Sequence, residues 1–183
     1  MTNAQRILTL LDTQLASRIN LTLYGRAALH LGFPDAPKEY ALSRDVDAVL
    51  WLGQAEELDE KTNFWDAIER VNQELADQEL YISHFFTETQ VVLLPDWRNN
   101  RVPLQGEWKH LELHRLGDID LLLSKLMRDD PIDRADAQFI VRVADLGVSD
   151  VTAAIAKARV PDSLEIQEQF EVASRKLLET IAA

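Results

Sequence analysis

The ten residues "SRDVDAVLWL", Ser43 to Leu52, constrain the fold more than any other stretch of this chain. Val46, Ala48, Val49, Leu50, Trp51 and Leu52 give it the β-branched and large apolar composition of a central strand. Asp45 and Asp47 stand one residue apart at its start, and side chains two apart on a strand face the same way. Two carboxylates side by side repel each other, and each is costly to desolvate without a partner. Either the strand lies at an edge with its polar face in solvent, or a cation sits before the pair. Magnesium takes oxygen ligands from one or two carboxylates and completes its shell with water and phosphates. Two such ions about 4 Å apart can hold both the attacking and the leaving oxygen of a phosphoryl transfer.

The segments around this strand follow two periods. Ile7, Leu11, Leu15 and Ile19 predict an amphipathic helix over residues 4–19. "LTLY" reads as a short strand left through Gly25. "RAALHL" reads as a short helix stopped by Gly32, and Pro34 and Pro37 mark the loop beyond it. Asn63 is placed to cap a helix running to about Asp77, with Trp65, Ile68, Val71 and Leu75 on one face. "LYISHFF" and "QVVLLP" read as two further strands, and "HLELHRL" as a weaker fourth. From Asp118 the pattern turns helical, over 118–128, 133–145, 149–159 and 164–182, with Ser149 a candidate cap. The expected architecture is α+β, a small mixed sheet flanked by helices in residues 1–115 and a helical part in 116–183, packed as one unit.

Charge and composition narrow the function. Nineteen basic against 31 acidic side chains give a formal charge of −12, which argues against extensive DNA binding or a broad RNA-coating surface. A small basic pocket for one nucleotide remains compatible with it. The absence of cysteine excludes thiol catalysis and cysteine-ligated metals. The first twenty residues lack a basic start and an unbroken apolar core, and no run is long enough to span a bilayer. A cytoplasmic protein without membrane association is therefore expected.

A strand, a glycine turn, a short helix and a strand bearing D-x-D, here "YGRAALHLG" followed by "SRDVDAVL", resemble the nucleotidyltransferase fold. The later "LHRLGDIDLLLSKLMRDDPIDRADAQFI" resembles motifs of bacterial proteins related to the AbiEii-type abortive-infection and toxin–antitoxin nucleotidyltransferases. Those motifs are a helix of the form D-L-x-x-x-K-L and then a D-R-x-D segment. "PDWRNNRVPL" is similar to a turn-and-arginine segment of an uncharacterised subgroup. Together the likenesses span roughly residues 20–145. Two departures stand out: Arg26 follows Gly25 where the family carries serine or glycine, and the loop to Asp45 is long.

The resemblance implies roles position by position. Gly25 and Arg26 would contact phosphate, and Arg101 would join them. Asp45 and Asp47 would hold Mg2+ or Mn2+. Lys125 would stabilise charge on the triphosphate, and Asp133 or Asp136 would orient or activate the acceptor. The implied activity is transfer of a nucleoside monophosphate from an NTP to an RNA (a tRNA end) or a protein hydroxyl, with a cognate toxin or antitoxin as possible partner. The alternative is a catalytically degenerate module of this fold that binds nucleotide or a protein partner. Plainer explanations also exist. Lys125 can snorkel from a helix whose Leu121, Leu122 and Leu126 are core, and Asp133, just after Pro131, can cap a helix with Asp136 in its first turn. Glu112 and then Glu88 are the candidates for the third acid that many polymerase-like members carry. The four histidines, His30, His84, His110 and His114, form no evident cluster, although His84 could line a pocket. Trp51, Trp65, Trp97 and Trp108 are scattered, as core residues are.

Overall fold

Thr2 opens the first helix, α1 (Asn3–Gln14), with a capping box: Thr2 Oγ1 accepts from the Gln5 amide at 3.4 Å, and Gln5 Oε1 accepts from the Thr2 amide at 2.9 Å. The computed structural model describes residues 1–183. It ends α1 at Gln14, short of the expected Ile19, because Leu15 is already extended (φ −78°, ψ 138°). Asn63 fixes that exit, donating to the Gln14 carbonyl and accepting from the Ala16 amide, both at 2.9 Å. Its side chain is thereby taken from the helix it precedes, to which it makes no cap bond.

The strands are β1 (Ile19–Tyr24), β2 (Asp45–Leu50), β3 (Tyr81–Thr87), β4 (Val102–Pro103) and β5 (Leu111–Arg115). They form one mixed sheet in the order β3-β2-β1-β5-β4. β1 is antiparallel to β2 and parallel to β5; β2 is parallel to β3, and β4 antiparallel to β5. Helices α2 (Gly25–Gly32), α3 (Gln54–Lys61) and α4 (Phe64–Leu75) fill the connections, α3 and β4 being unforeseen by the periodicity. The fold is α+β, as the alternation of periods implies.

One unit of the chain comprises Met1–Thr87 and Val102–Arg115. Much of its core lies on one face of the sheet. Leu21 and Leu23 of β1, Val46, Ala48 and Leu50 of β2 and Ile82 of β3 are all no more than 1% exposed there, with Ile7, Leu8 and Leu11 of α1 and Phe64 and Val71 of α4 equally buried. Burying each such large side chain contributes roughly 1.5–3 kcal/mol before entropy is counted. Asp12, on the buried side of α1, accepts the amides of Lys109, His110 and Leu111 at 2.7–2.9 Å and so anchors the start of β5. Burial alone would raise its pKa; the three N–H donors outweigh that and hold it below its ordinary value.

The other unit comprises Glu88–Arg101 and Leu116–Ala183. It contains α5 (Asp118–Lys125), α6 (Pro131–Val143), α7 (Val148–Lys157) and α8 (Leu164–Ala182). Residues 88–101 thus group with the helices and not with the sheet, although they precede β5 in the chain. Within them "QVVLLP" is not a strand: Val91, Val92 and Leu93 are buried to 1% or less, but the backbone makes only an isolated antiparallel bridge between Leu93 and Arg159. The caps also differ from expectation. Asp130, not Asp133, caps α6, accepting the Asp133 amide at 2.8 Å, with Pro131 at the first helical position. At α7 the N-cap is Gly147, whose amide donates to Asp150 at 2.8 Å, and Ser149 lies inside the helix. No helix of either unit is long and apolar enough to cross a membrane.

Candidate metal centre

The other sheet face carries Asp45, Asp47 and the fully buried Val49 from β2, in the alternate phase to Val46, Ala48 and Leu50. The paired aspartates therefore do point the same way. Asp47 lies opposite Tyr24, the last residue of β1, and Asp45 opposite Tyr81 on β3. Ser43 Oγ donates to Asp45 Oδ1 at 2.8 Å, which fixes one carboxylate from the preceding turn.

A third side chain joins them from β3. The parallel register of β2 and β3 slips by one residue between Val46 and Asp47, so Ile82 faces Val46 but His84, not Ser83, faces Asp47. In a regular strand His84 would share the apolar face of Ile82. The bulge turns it to the carboxylate face instead, which is the re-aiming that such irregularities produce. Its Nδ1 stands 2.9 Å from Asp47 Oδ1, and its ring lies parallel to that of Phe86 with centroids 5.9 Å apart. One donor atom from each of Asp45, Asp47 and His84 falls within 4.8 Å of the others, so the three could hold a metal ion. Two ionised carboxylates on one face of a strand repel each other. A bound cation would reverse the sign of that energy.

Gly25 closes the site on the β1 side. Its φ of +72° is a left-handed conformation, and a Cβ built on it would stand 3.0 Å from Asp47 Oδ2. The same residue begins α2, so a helix N-terminus opens beside the carboxylates. Arg26, the next residue, places its guanidinium 4.9 Å from the centre of the Tyr40 ring, a cation–π contact with a buried aromatic.

The remaining expected residues lie in the helical unit. Lys125 ends α5 only 8% exposed, and its Nζ contacts Asp133 Oδ1 at 3.0 Å and Asp136 Oδ2 at 2.8 Å. Arg128 adds a contact of 2.8 Å to the other Asp133 oxygen. Asp133 and Asp136, one turn apart on α6, are 2% and 0% exposed, so the three expected residues form one buried ion cluster. Arg101, also in this unit, donates from Nε to the Arg98 carbonyl at 3.0 Å. Of the candidate third acids, Glu112 does not join the centre, and Glu88 belongs to the helical unit. Glu112 is exposed and lies opposite Asn20, whereas Asp47 lies opposite Tyr24, four residues further along β1. Glu88 accepts from Trp97 Nε1 at 2.9 Å and pairs with Arg159 at 3.1 Å.

His84 is the site residue whose task the sequence did not assign. Its signal is a spacing of three, not two, between the inward-facing Ile82 and Phe85, the latter packing edge-on against Phe64 and Trp65. No family model, no curated protein and no solved structure matches this chain.

Proposed function

We propose that the chain is a divalent-metal-dependent nucleotidyltransferase, moving a nucleoside monophosphate from an NTP to an RNA or protein acceptor. The observation that carries this reading is the convergence of Asp45, Asp47 and His84 within 4.8 Å on the face of a sheet strand, beside a glycine-opened helix start. The donor set suits a divalent ion: two carboxylates match its charge, and Gly25 leaves open the space a side chain would fill. Asp45 and Asp47 would hold Mg2+ or Mn2+, whose chemistry is to neutralise and bridge phosphate oxygens. The protein's own share is positional. The first amides of α2 offer donors to phosphate oxygens, the left-handed turn at Gly25 brings that backbone close to the carboxylates, and Arg26 supplies a fixed positive charge one residue on. A toxin–antitoxin or phage-defence setting fits this reading but follows only from the resemblance.

A second reading is favoured by one specific observation. β5 ends at Arg115, opposite Leu23, before the level of Asp47, and so offers no third carboxylate there. A nucleotide-binding module without transfer activity accounts for that equally. The two separate in one series. Melting is followed with each NTP, with and without metal, and labelled NTP is then incubated with total RNA and cell extract. Transfer supports the enzyme. A metal-dependent NTP shift without labelling, abolished by Asp47→Ala, supports the module. No shift with any pair refutes both.

A further inference from the structure

We infer that His84 is a third direct ligand, and that it tunes this centre to a first-row transition ion in preference to Mg2+. The inference rests on reading the D-x-D face as a divalent-metal site. Its ground is geometric. Two neighbouring ligands of an octahedral ion at about 2.1 Å are separated by √2 times that length, about 3.0 Å. His84 Nδ1 and Asp47 Oδ1 are hydrogen-bonded at 2.9 Å, a spacing that also matches one edge of such a shell, so an ion could replace the shared proton without moving either side chain far. Asp45 supplies a third donor within 4.8 Å, and Ser43 holds it from behind.

The ring is prepared for this position. The one-residue slip against β2 turns it to the carboxylates, and the parallel Phe86 ring, 3° from coplanar orientation, restrains its plane. His84 is 55% exposed and supports no core packing, so its orientation rests on the strand slip and on its bond to Asp47. The chemistry then discriminates between ions. Mg2+ is a hard ion that favours oxygen and gains little from imidazole, whereas first-row transition ions gain a strong nitrogen bond. Two carboxylates and one neutral imidazole also leave a divalent ion neutralised, with positions open to substrate oxygens.

The test uses the full chain and the metals alone. Free Mn2+ is counted by its electron paramagnetic resonance signal during titration, and Mg2+ is added as competitor. The wild type is expected to bind Mn2+ more tightly than Mg2+. His84→Ala should weaken Mn2+ about tenfold or more, the scale on which partners of metal sites act, and leave Mg2+ within about threefold. His84→Asp, which restores three oxygen donors, should swing the ratio toward Mg2+. A histidine that only orients Asp47 would weaken both ions equally, so an unchanged Mn2+/Mg2+ ratio in both variants overturns the inference while leaving the metal site standing. Absence of binding by either ion to the wild type overturns the site itself. Circular dichroism and melting of each variant verify that it is folded, as expected for an exposed side chain.

Discussion

His84 and Asp47 meet at 2.9 Å across two parallel strands whose register has slipped by one residue just before them. The contact joins an edge strand to its neighbour on the polar side of the sheet, while Ile82 and Val46, one pairing earlier, face the core. A single irregularity thus serves both faces.

Asp45→Asn should leave the fold at least as stable as the wild type in the absence of metal, and Asp47→Asn nearly so, since it also gives up the charge of its exposed pair with His84. Each removes one of two repelling charges and keeps the shape of the side chain. Either change should abolish the metal-dependent rise in melting temperature. Calorimetry with and without Mn2+ reads both effects; a variant that melts well below the wild type without metal would contradict the repulsion.

Gly25→Ala and Gly53→Ala make a matched pair. Both residues hold positive φ, +72° and +85°, where an alanine costs about 1–2 kcal/mol. At Gly53 the added methyl meets nothing within 4 Å, whereas at Gly25 it stands 3.0 Å from Asp47 Oδ2. Chemical denaturation should show a loss of stability in both, the larger at Gly25. Metal titration should show lost affinity only in Gly25→Ala.

The sequence made some of this legible and hid the rest for definable reasons. Asp45 and Asp47 could be read because alternation along β2 is regular and needs no knowledge of a neighbour. His84 could not be assigned because its direction depends on a register slip against β2, a property of two strands and not of one. Asn63 was recognisable as a residue that begins a helix, but its side chain is spent on Gln14 and Ala16, 49 and 47 positions away in sequence. Val91 to Leu93 have strand composition because they are buried, and burial without a continuous ladder carries the same signature. The resemblance gave Lys125, Asp133 and Asp136 roles toward triphosphate and acceptor; their pairing with one another depends on how α5 and α6 pack, which the spacing along one helix does not show.

Lys125→Met should destabilise the chain by about 3–5 kcal/mol, because it leaves Asp133 and Asp136 buried with their shared cation removed. Lys125→Met combined with Asp136→Leu should recover part of that loss, since the second change removes one of the two carboxylates that Lys125 neutralises. Urea denaturation of the single and double variants measures it. A single variant as stable as the wild type would free Lys125 for a role toward a ligand.

Asp120 should make stability fall as the solution becomes less acidic. The residue is fully buried, and burial pushes its pKa from 3.8 up to about 6, against the opposing Leu94 amide and Asn100 side chain. A folded state that keeps its proton longer than the unfolded chain loses stability between those two values and no further above them. The loss is about 3 kcal/mol for a shift of this size. Asp120→Asn, which mimics the protonated acid, should match the wild type near pH 4 and exceed it above pH 7. Denaturation midpoints across that range decide it.

Because residues 88–101 leave the sheet-bearing unit before residues 102–115 return to it, the backbone passes between the two bodies three times. No single scission can release both intact. A protein shortened after Arg115 would retain Val91, Val92 and Leu93 without the helices that accompany them, and these greasy residues would favour aggregation. Any scheme for exchanging one body for another must therefore splice at all three crossings.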